Sequence, residues 1–214
     1  MQEKVKGIVL KTMDFKEKDK LMWIFTEELG KVSVLCKGVR NQKSRMQSLA
    51  MPLLLGEFML YKGKSMHTLN EGSVITTFKG LKEDLVLLTY GSYFLELCDI
   101  VSMDSEPDRE LYRDLITALY ILESKALEPE YVARAFELKV IRSSGVSADD
   151  GMSQVRISQG ARKACEFLQR TDLQKIHILS VSKDVVDEIG ELTSFIISAS
   201  FQRQPKSLMM LKYL

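Results

Sequence analysis

The 214 residues are 45% hydrophobic and 28% charged, ordinary for a globular chain, and no apolar run approaches bilayer-spanning length, which argues against a helical membrane protein. Net charge is only +1, yet it divides unevenly. Residues 1–82 hold 15 Lys and Arg against 8 Asp and Glu, a net of +7, while residues 83–214 hold 15 against 21, a net of −6, so the front of the chain is suited to a polyanion.

The opening Met1-Gln2-Glu3-Lys4-Val5-Lys6 lacks the apolar stretch of a signal peptide, so a cytoplasmic location is expected. Short apolar runs then follow in strand-like fashion: Gly7-Ile8-Val9-Leu10, Leu21-Met22-Trp23-Ile24-Phe25, alternating Val32, Val34 and Cys36, and Phe58-Met59-Leu60-Tyr61. His67-Thr68-Leu69 and Val74-Ile75-Thr76-Thr77-Phe78 complete about five strands, with turn signals at Glu28-Leu29-Gly30, Lys62-Gly63-Lys64 and Glu71-Gly72. Five short strands in about 80 residues must cover their edges, which favours a small closed barrel. After Gly80 the period turns helical. Tyr90, Phe94, Leu97 and Val101 share one face, as do Leu111, Leu115, Ala118 and Leu122. Pro107 and Pro129 stand where a first helical turn begins, a third helix covers 132–141, residues 145–158 read as a loop, and two more helices cover 159–169 and 182–201. The fold class expected is α+β: an OB-fold β-barrel in residues 1–80, then an all-helical domain in residues 81–214.

The densest functional signal is Lys37, Arg40, Lys43 and Arg45, four cations within nine residues, interleaved with Gly, Asn and Ser in what reads as a mobile loop. Such side chains suit phosphate contacts, which bind nucleic acid without reading its sequence. Lys11, Lys16, Lys18 and Lys20 form a second group, interleaved with Asp14, Glu17 and Asp19, and Lys62 with Lys64 a third. The plainer alternative for each is a solvated surface. Trp23 and Phe25, at strand spacing, are expected in the core; Phe15 and Tyr61, beside turns and lysines, are open to base stacking. Catalysis finds no support: His67 and His177 have no nucleophile motif beside them, and no phosphate-binding glycine loop is present. Cys36, Cys98 and Cys165 lie about 60 residues apart without paired spacing, so they read as buried or incidental thiols rather than metal ligands. No cofactor is expected.

In this order and spacing, the chain resembles the bacterial recombination mediator family RecO. The resemblance is carried by Lys6-Gly7-Ile8-Val9-Leu10-Lys11, Glu17-Lys18-Asp19-Lys20-Leu21 and Phe25-Thr26-Glu27-Glu28-Leu29-Gly30-Lys31. Its most distinctive stretch is Val34-Leu35-Cys36-Lys37-Gly38-Val39-Arg40 with Lys43-Ser44-Arg45, supported by Leu55-Gly56-Glu57-Phe58, Arg134-Ala135-Phe136-Glu137-Leu138-Lys139 and Pro205-Lys206-Ser207-Leu208. It implies an N-terminal OB-fold and a helical C-terminal domain, binding of single- and double-stranded DNA, strand annealing, partnership with RecR, and help in loading RecA onto DNA covered by single-strand-binding protein. It also implies association with the nucleoid. Many relatives hold zinc with four cysteines in two close pairs after the Arg-x-Phe-Glu-Leu helix; here that region, 145–158, has none, and zinc is not expected.

On a helix, Arg134 shares a face with Tyr131, Leu138 and Ile141. The resemblance makes this a candidate receptor for the acidic tail of single-strand-binding protein, with Arg134 pairing the terminal carboxylate while Leu138 and Ile141 receive the apolar side chain. The alternative is an arginine paired within its own helix to Glu130 or Glu137. For the whole chain, two other readings stand beside the DNA one: a protein-interaction adaptor whose basic barrel meets an acidic partner, and an RNA-binding OB protein.

Overall fold

The computed structural model describes residues 2–41, 43–152, 154–207 and 210; Gln42, Ser153 and Leu208, which fall in stretches singled out above, lie outside the described residues. Five strands, β1 (Gln2–Phe15), β2 (Asp19–Thr26), β3 (Gly30–Cys36), β4 (Leu55–Lys62) and β5 (His67–Thr76), close into a barrel in the order β1-β2-β3-β5-β4. All neighbours are antiparallel except β3 and β5, which pair in parallel through Val34 with His67 and Leu35 with Thr68. Alternation makes the core: Met22, Ile24, Val32, Val34, Phe58 and Leu60 are almost fully buried.

Closure depends on β1 serving two neighbours. Its first half pairs with β4 and its second with β2, and Gly7 pairs with both Gly56 and Thr26. A Cβ at Gly7 would sit 2.5 Å from Ile24 Cγ2 and 2.9 Å from the Phe25 carbonyl, so only glycine lets the strands approach there. A bulge between Val9 and Lys11 turns the strand as it passes from one neighbour to the other. The expected turn at Glu71-Gly72 is not a turn. Both residues lie within β5, opposite Met59 and Phe58, and a Cβ at Gly72 would stand 2.8 Å from the Glu57 carbonyl. The glycine serves close strand approach.

The chain divides into two compact units, residues 1–79 with 102–112, and residues 80–101 with 113–214. In the first unit, residues 102–112 run along the end of β3: the Ser105 N–H donates to the Lys31 carbonyl at 2.8 Å, and Tyr112 meets Phe25 edge-on with ring centroids 5.8 Å apart.

The helices are α1 (Lys79–Lys82), α2 (Leu85–Val101), α3 (Arg109–Ser124), α4 (Pro129–Ser143), α5 (Ala148–Met152), α6 (Gln159–Arg170) and α7 (Lys183–Ser200). Pro107 precedes the cap of α3 rather than opening its first turn; Asp108 makes the cap, accepting from the Leu111 N–H at 2.8 Å. α4 opens with Pro129 and ends before Gly145, whose φ of +77° is readily adopted only without a side chain. It packs against α2, α6 and α7, and is buried almost all round from Tyr131 to Ile141. The 145–158 stretch is not wholly loop, since α5 forms within it. A 3₁₀ segment, Leu173–Ile178, which periodicity did not reveal, connects α6 towards α7.

Candidate nucleic-acid interface

At one end of the barrel, the turn between β1 and β2 meets the loop that follows β3. Asp19 Oδ1 accepts the Gly38 N–H at 2.7 Å, and the Lys18 carbonyl accepts the Arg40 N–H at 3.0 Å. The Arg40 guanidinium donates to the Lys16 carbonyl at 3.1 Å and lies 3.2 Å from Asp14 Oδ2, while Lys20 Nζ stands 4.0 Å from Asp14 Oδ1. The acids interleaved with the lysines are therefore struts. Asp14 and Asp19 fasten the loop, leaving lysine heads outside.

The loop itself is folded rather than loose. Successive turns run through it, with the Asn41 N–H donating to Gly38 at 3.2 Å and the Ser44 N–H to Asn41 at 2.9 Å. Val39 is buried and Met46 packs against the barrel core. Gly38 has φ +64°, the left-handed conformation that lets the chain leave β3.

Two cation groups separated by some twenty residues are thus brought together. Lys16, Lys18, Lys37, Arg40, Lys43 and Arg45 are exposed, and Lys11 and Lys20 half-buried. Among the described residues, Lys18, Lys37, Lys43 and Arg45 form no ion pair, whereas Arg40 is engaged in holding the loop. Lys62 and Lys64, both exposed, are not part of this cluster. They sit on the β4–β5 hairpin, whose His67 pairs with Lys62 on one side and Val34 of β3 on the other. His67 Nε2 also lies 3.5 Å from Glu3 Oε2.

Beside this cluster runs the outer face of β1, β2 and β3. Lys11, Trp23 and Ser33 form one cross-strand row, and Met13, Leu21 and Leu35 the next. Their sequence neighbours Met22 and Val34 point inward with no exposed surface. Trp23 is therefore not core. It is half-buried on the outside, with Lys11 Nζ 4.8 Å from its ring centroid. Phe25 is fully buried as expected, but under Tyr112. Phe15 is half-buried beside Lys16 Nζ, 5.4 Å away, and Tyr61 is 46% exposed.

Residues 1–78 match the family model for the N-terminal region of recombination protein O, and residues 82–150 that for its C-terminal region. The DNA repair protein RecO of Clostridium perfringens strain 13 is 37% identical, with 97% of this chain and 96% of the relative aligned. That of Clostridium novyi is 35% identical over 99% and 94%, and that of Acetivibrio thermocellus 27% identical over 89% and 88%. The chain belongs to the recombination protein O family. Its role accordingly lies in DNA repair and recombination.

In this recombination protein O chain, the tail receptor expected on α4 is not at the surface. Leu138 and Ile141 have no exposed surface, so they pack in the core of the helical unit and cannot receive a side chain from outside. Arg134 makes the intrahelical pairing instead. Its guanidinium donates to both carboxylate oxygens of Glu137 at 2.8 Å and lies 3.6 Å from Glu130. Burial works against the charged guanidinium, but Glu137 more than compensates and holds its pKa above the usual arginine value. Glu137 also accepts from the hydroxyls of Tyr93 (α2) and Thr193 (α7), which join three helices at one carboxylate. A spacing argument finds the i,i+3 pair but not these partners from 44 and 56 residues away.

Cys36 and Cys165 are buried, and burial pushes both thiols up to about 12, so they stay protonated. Among the described residues, no helix is long and apolar enough to cross a membrane.

Proposed function

We propose that this chain binds single- and double-stranded DNA through phosphate contacts at the loop end of the barrel, anneals complementary strands, and helps load RecA onto DNA covered by single-strand-binding protein. The observation that supports this best is the docking of the 37–45 loop on the β1–β2 turn through Asp14 and Asp19, which gathers Lys16, Lys18, Lys37, Lys43 and Arg45. Strands carrying dense negative charge repel one another, and a cationic surface lowers that repulsion while leaving base edges free to pair. Exposed lysines hold phosphates individually weakly, so a finished duplex is released. Nothing in this sequence of events makes or breaks a covalent bond, and the reading needs neither enzyme activity nor a cofactor.

The partners in this proposal are RecR, the tail of single-strand-binding protein and, indirectly, RecA, in the cytoplasm at the nucleoid. For the tail, a groove of about 490 Å³ in the helical unit replaces the buried stripe of α4. Leu127, Tyr131, Leu179 and Val181 supply apolar walls and Lys183 a cation, beside the carboxylates of Glu128 and Glu130, the latter 3.6 Å from Arg134. Annealing of complementary oligonucleotides tests the main reading. Replacing Lys37, Lys43 and Arg45 together with alanine should slow annealing roughly tenfold while the melting temperature is kept. Undiminished annealing by the folded variant would place DNA elsewhere.

A further inference from the structure

The outer face of the barrel offers something that the loop cations do not, an aromatic ring on the adjoining sheet. Trp23 lies in the cross-strand row Lys11, Trp23, Ser33. On the β1 side, Lys11 Nζ lies 4.8 Å from the indole centroid. On the β3 side its neighbour is Ser33, the smallest side chain of the two rows. The next row, Met13, Leu21 and Leu35, continues the apolar surface towards the loop end, and Met13 is 52% exposed. Beyond β3 come β5 and the hairpin that carries Lys62 and Lys64. The face is thus an apolar strip with an indole in it, bordered by cations at the loop end and on the hairpin side.

A surface bordered by cations but floored with Trp, Met and Leu is poorly matched to the outside of a duplex, which presents phosphate and sugar. It matches an unpaired nucleobase, which brings a flat apolar face together with an attached phosphate. We infer that Trp23 stacks an unpaired base, with Met13, Leu21 and Leu35 as floor and the flexible Lys11 swinging off the ring it covers to meet the adjoining phosphate. The inference rests on the DNA-binding reading above and deepens it. The loop cations hold either form of DNA, and the Trp23 face favours single strands. During annealing such a base must leave the indole to pair, so the same face lets go of a strand as it becomes double.

Trp23 is the chain's only tryptophan, so its fluorescence reports on this face without any label. The test titrates the full-length protein with oligothymidylate and with a duplex of equal length, occupancy being followed by anisotropy of a dye on the DNA. Oligothymidylate should quench the tryptophan strongly and the duplex hardly at all at equal occupancy. Trp23→Leu should weaken oligothymidylate binding roughly tenfold and duplex binding by much less, whereas Trp23→Phe, which keeps a ring, should retain most of the affinity. Saturating single strand without quenching would overturn the inference, and so would equal losses for both DNA forms in a folded Trp23→Leu protein. Either result leaves the loop-cation reading intact. Failure of both DNA forms to bind would overturn both. Should Trp23→Leu not fold, the wild-type quenching comparison decides alone.

Discussion

Removing the Arg134 guanidinium would leave the Glu137 carboxylate, 1% exposed, with only the Tyr93 and Thr193 hydroxyls for company. Breaking a buried ion pair from one side commonly costs about 3–5 kcal/mol, so Arg134→Ala should lower the urea midpoint sharply with little change in slope. A near-normal midpoint would mean that the pair is dispensable. Gly190 gives a sharper version of the same test. Alanine in a helix is usually favoured over glycine by about 1 kcal/mol, yet a Cβ here would lie 2.8 Å from Arg134 Nε. Gly190→Ala should therefore destabilise the protein, and a gain in stability would show that the guanidinium can move aside. At this scale the sequence revealed which residues matter more readily than what they do. Arg134 and Glu137 were visible as a pair, but whether the face they share is wet or dry depends on α2 and α7, far away in the chain. Trp23 was misplaced for a related reason. Ile24, Phe25 and Thr26 are all fully buried, because Tyr112 covers Phe25 from outside, and this hides the alternation that would have turned Trp23 outward.

Elements of the barrel such as β3 and β4 were legible because period-two alternation survives in them, whereas β5 buries only Leu69. What escaped was contact geometry: Gly72 resembles a turn residue in sequence, while the strand needs it for close approach to Glu57. The docking of the 37–45 loop was equally invisible. It uses the backbone carbonyls of Lys16 and Lys18, which no side-chain pattern encodes, and acids that look like dilution of a basic cluster. The Pro205-Lys206-Ser207 motif finds its physical role at this scale too. Glu96 on α2 accepts the Ser207 N–H at 2.9 Å and its hydroxyl at 2.6 Å, and Arg203 lies 2.6 Å from Asp99. Burial works to raise the Glu96 carboxyl, but hydrogen bonds from Lys206 and Ser207 outweigh it and hold the pKa below its ordinary 4.5. A depressed carboxylate stabilises the fold above its unfolded value and loses that contribution as pH falls through the folded one. The strap should accordingly loosen in acid, with faster exchange of the Ser207 amide relative to its intrinsic rate. At neutral pH, Glu96→Ala should let trypsin cut after Arg203 and Lys206 several-fold faster than in the wild type. Equal cutting rates would show that other contacts hold the segment.

For the molecule as a whole, the uneven charge was legible from composition alone, and family membership agrees with the polyanion it implied. The fold turns that composition into a surface by placing cations from β1–β2 and from the loop after β3 at one end of a closed barrel. An adaptor with a basic face and a DNA-binding protein share this charge pattern, but they differ in how affinity for nucleic acid responds to salt. The direct measurement is a titration of an unstructured single-stranded oligonucleotide with the purified protein over a series of salt concentrations. Each phosphate neutralised contributes a slope of about −0.7 in log affinity against log salt for single strands. Wild type should show a steep negative slope, and replacing Lys37, Lys43 and Arg45 with alanine should flatten it by about 2. A wild-type slope near zero, or a slope unchanged in the folded triple variant, would contradict the assignment of DNA to this end of the barrel.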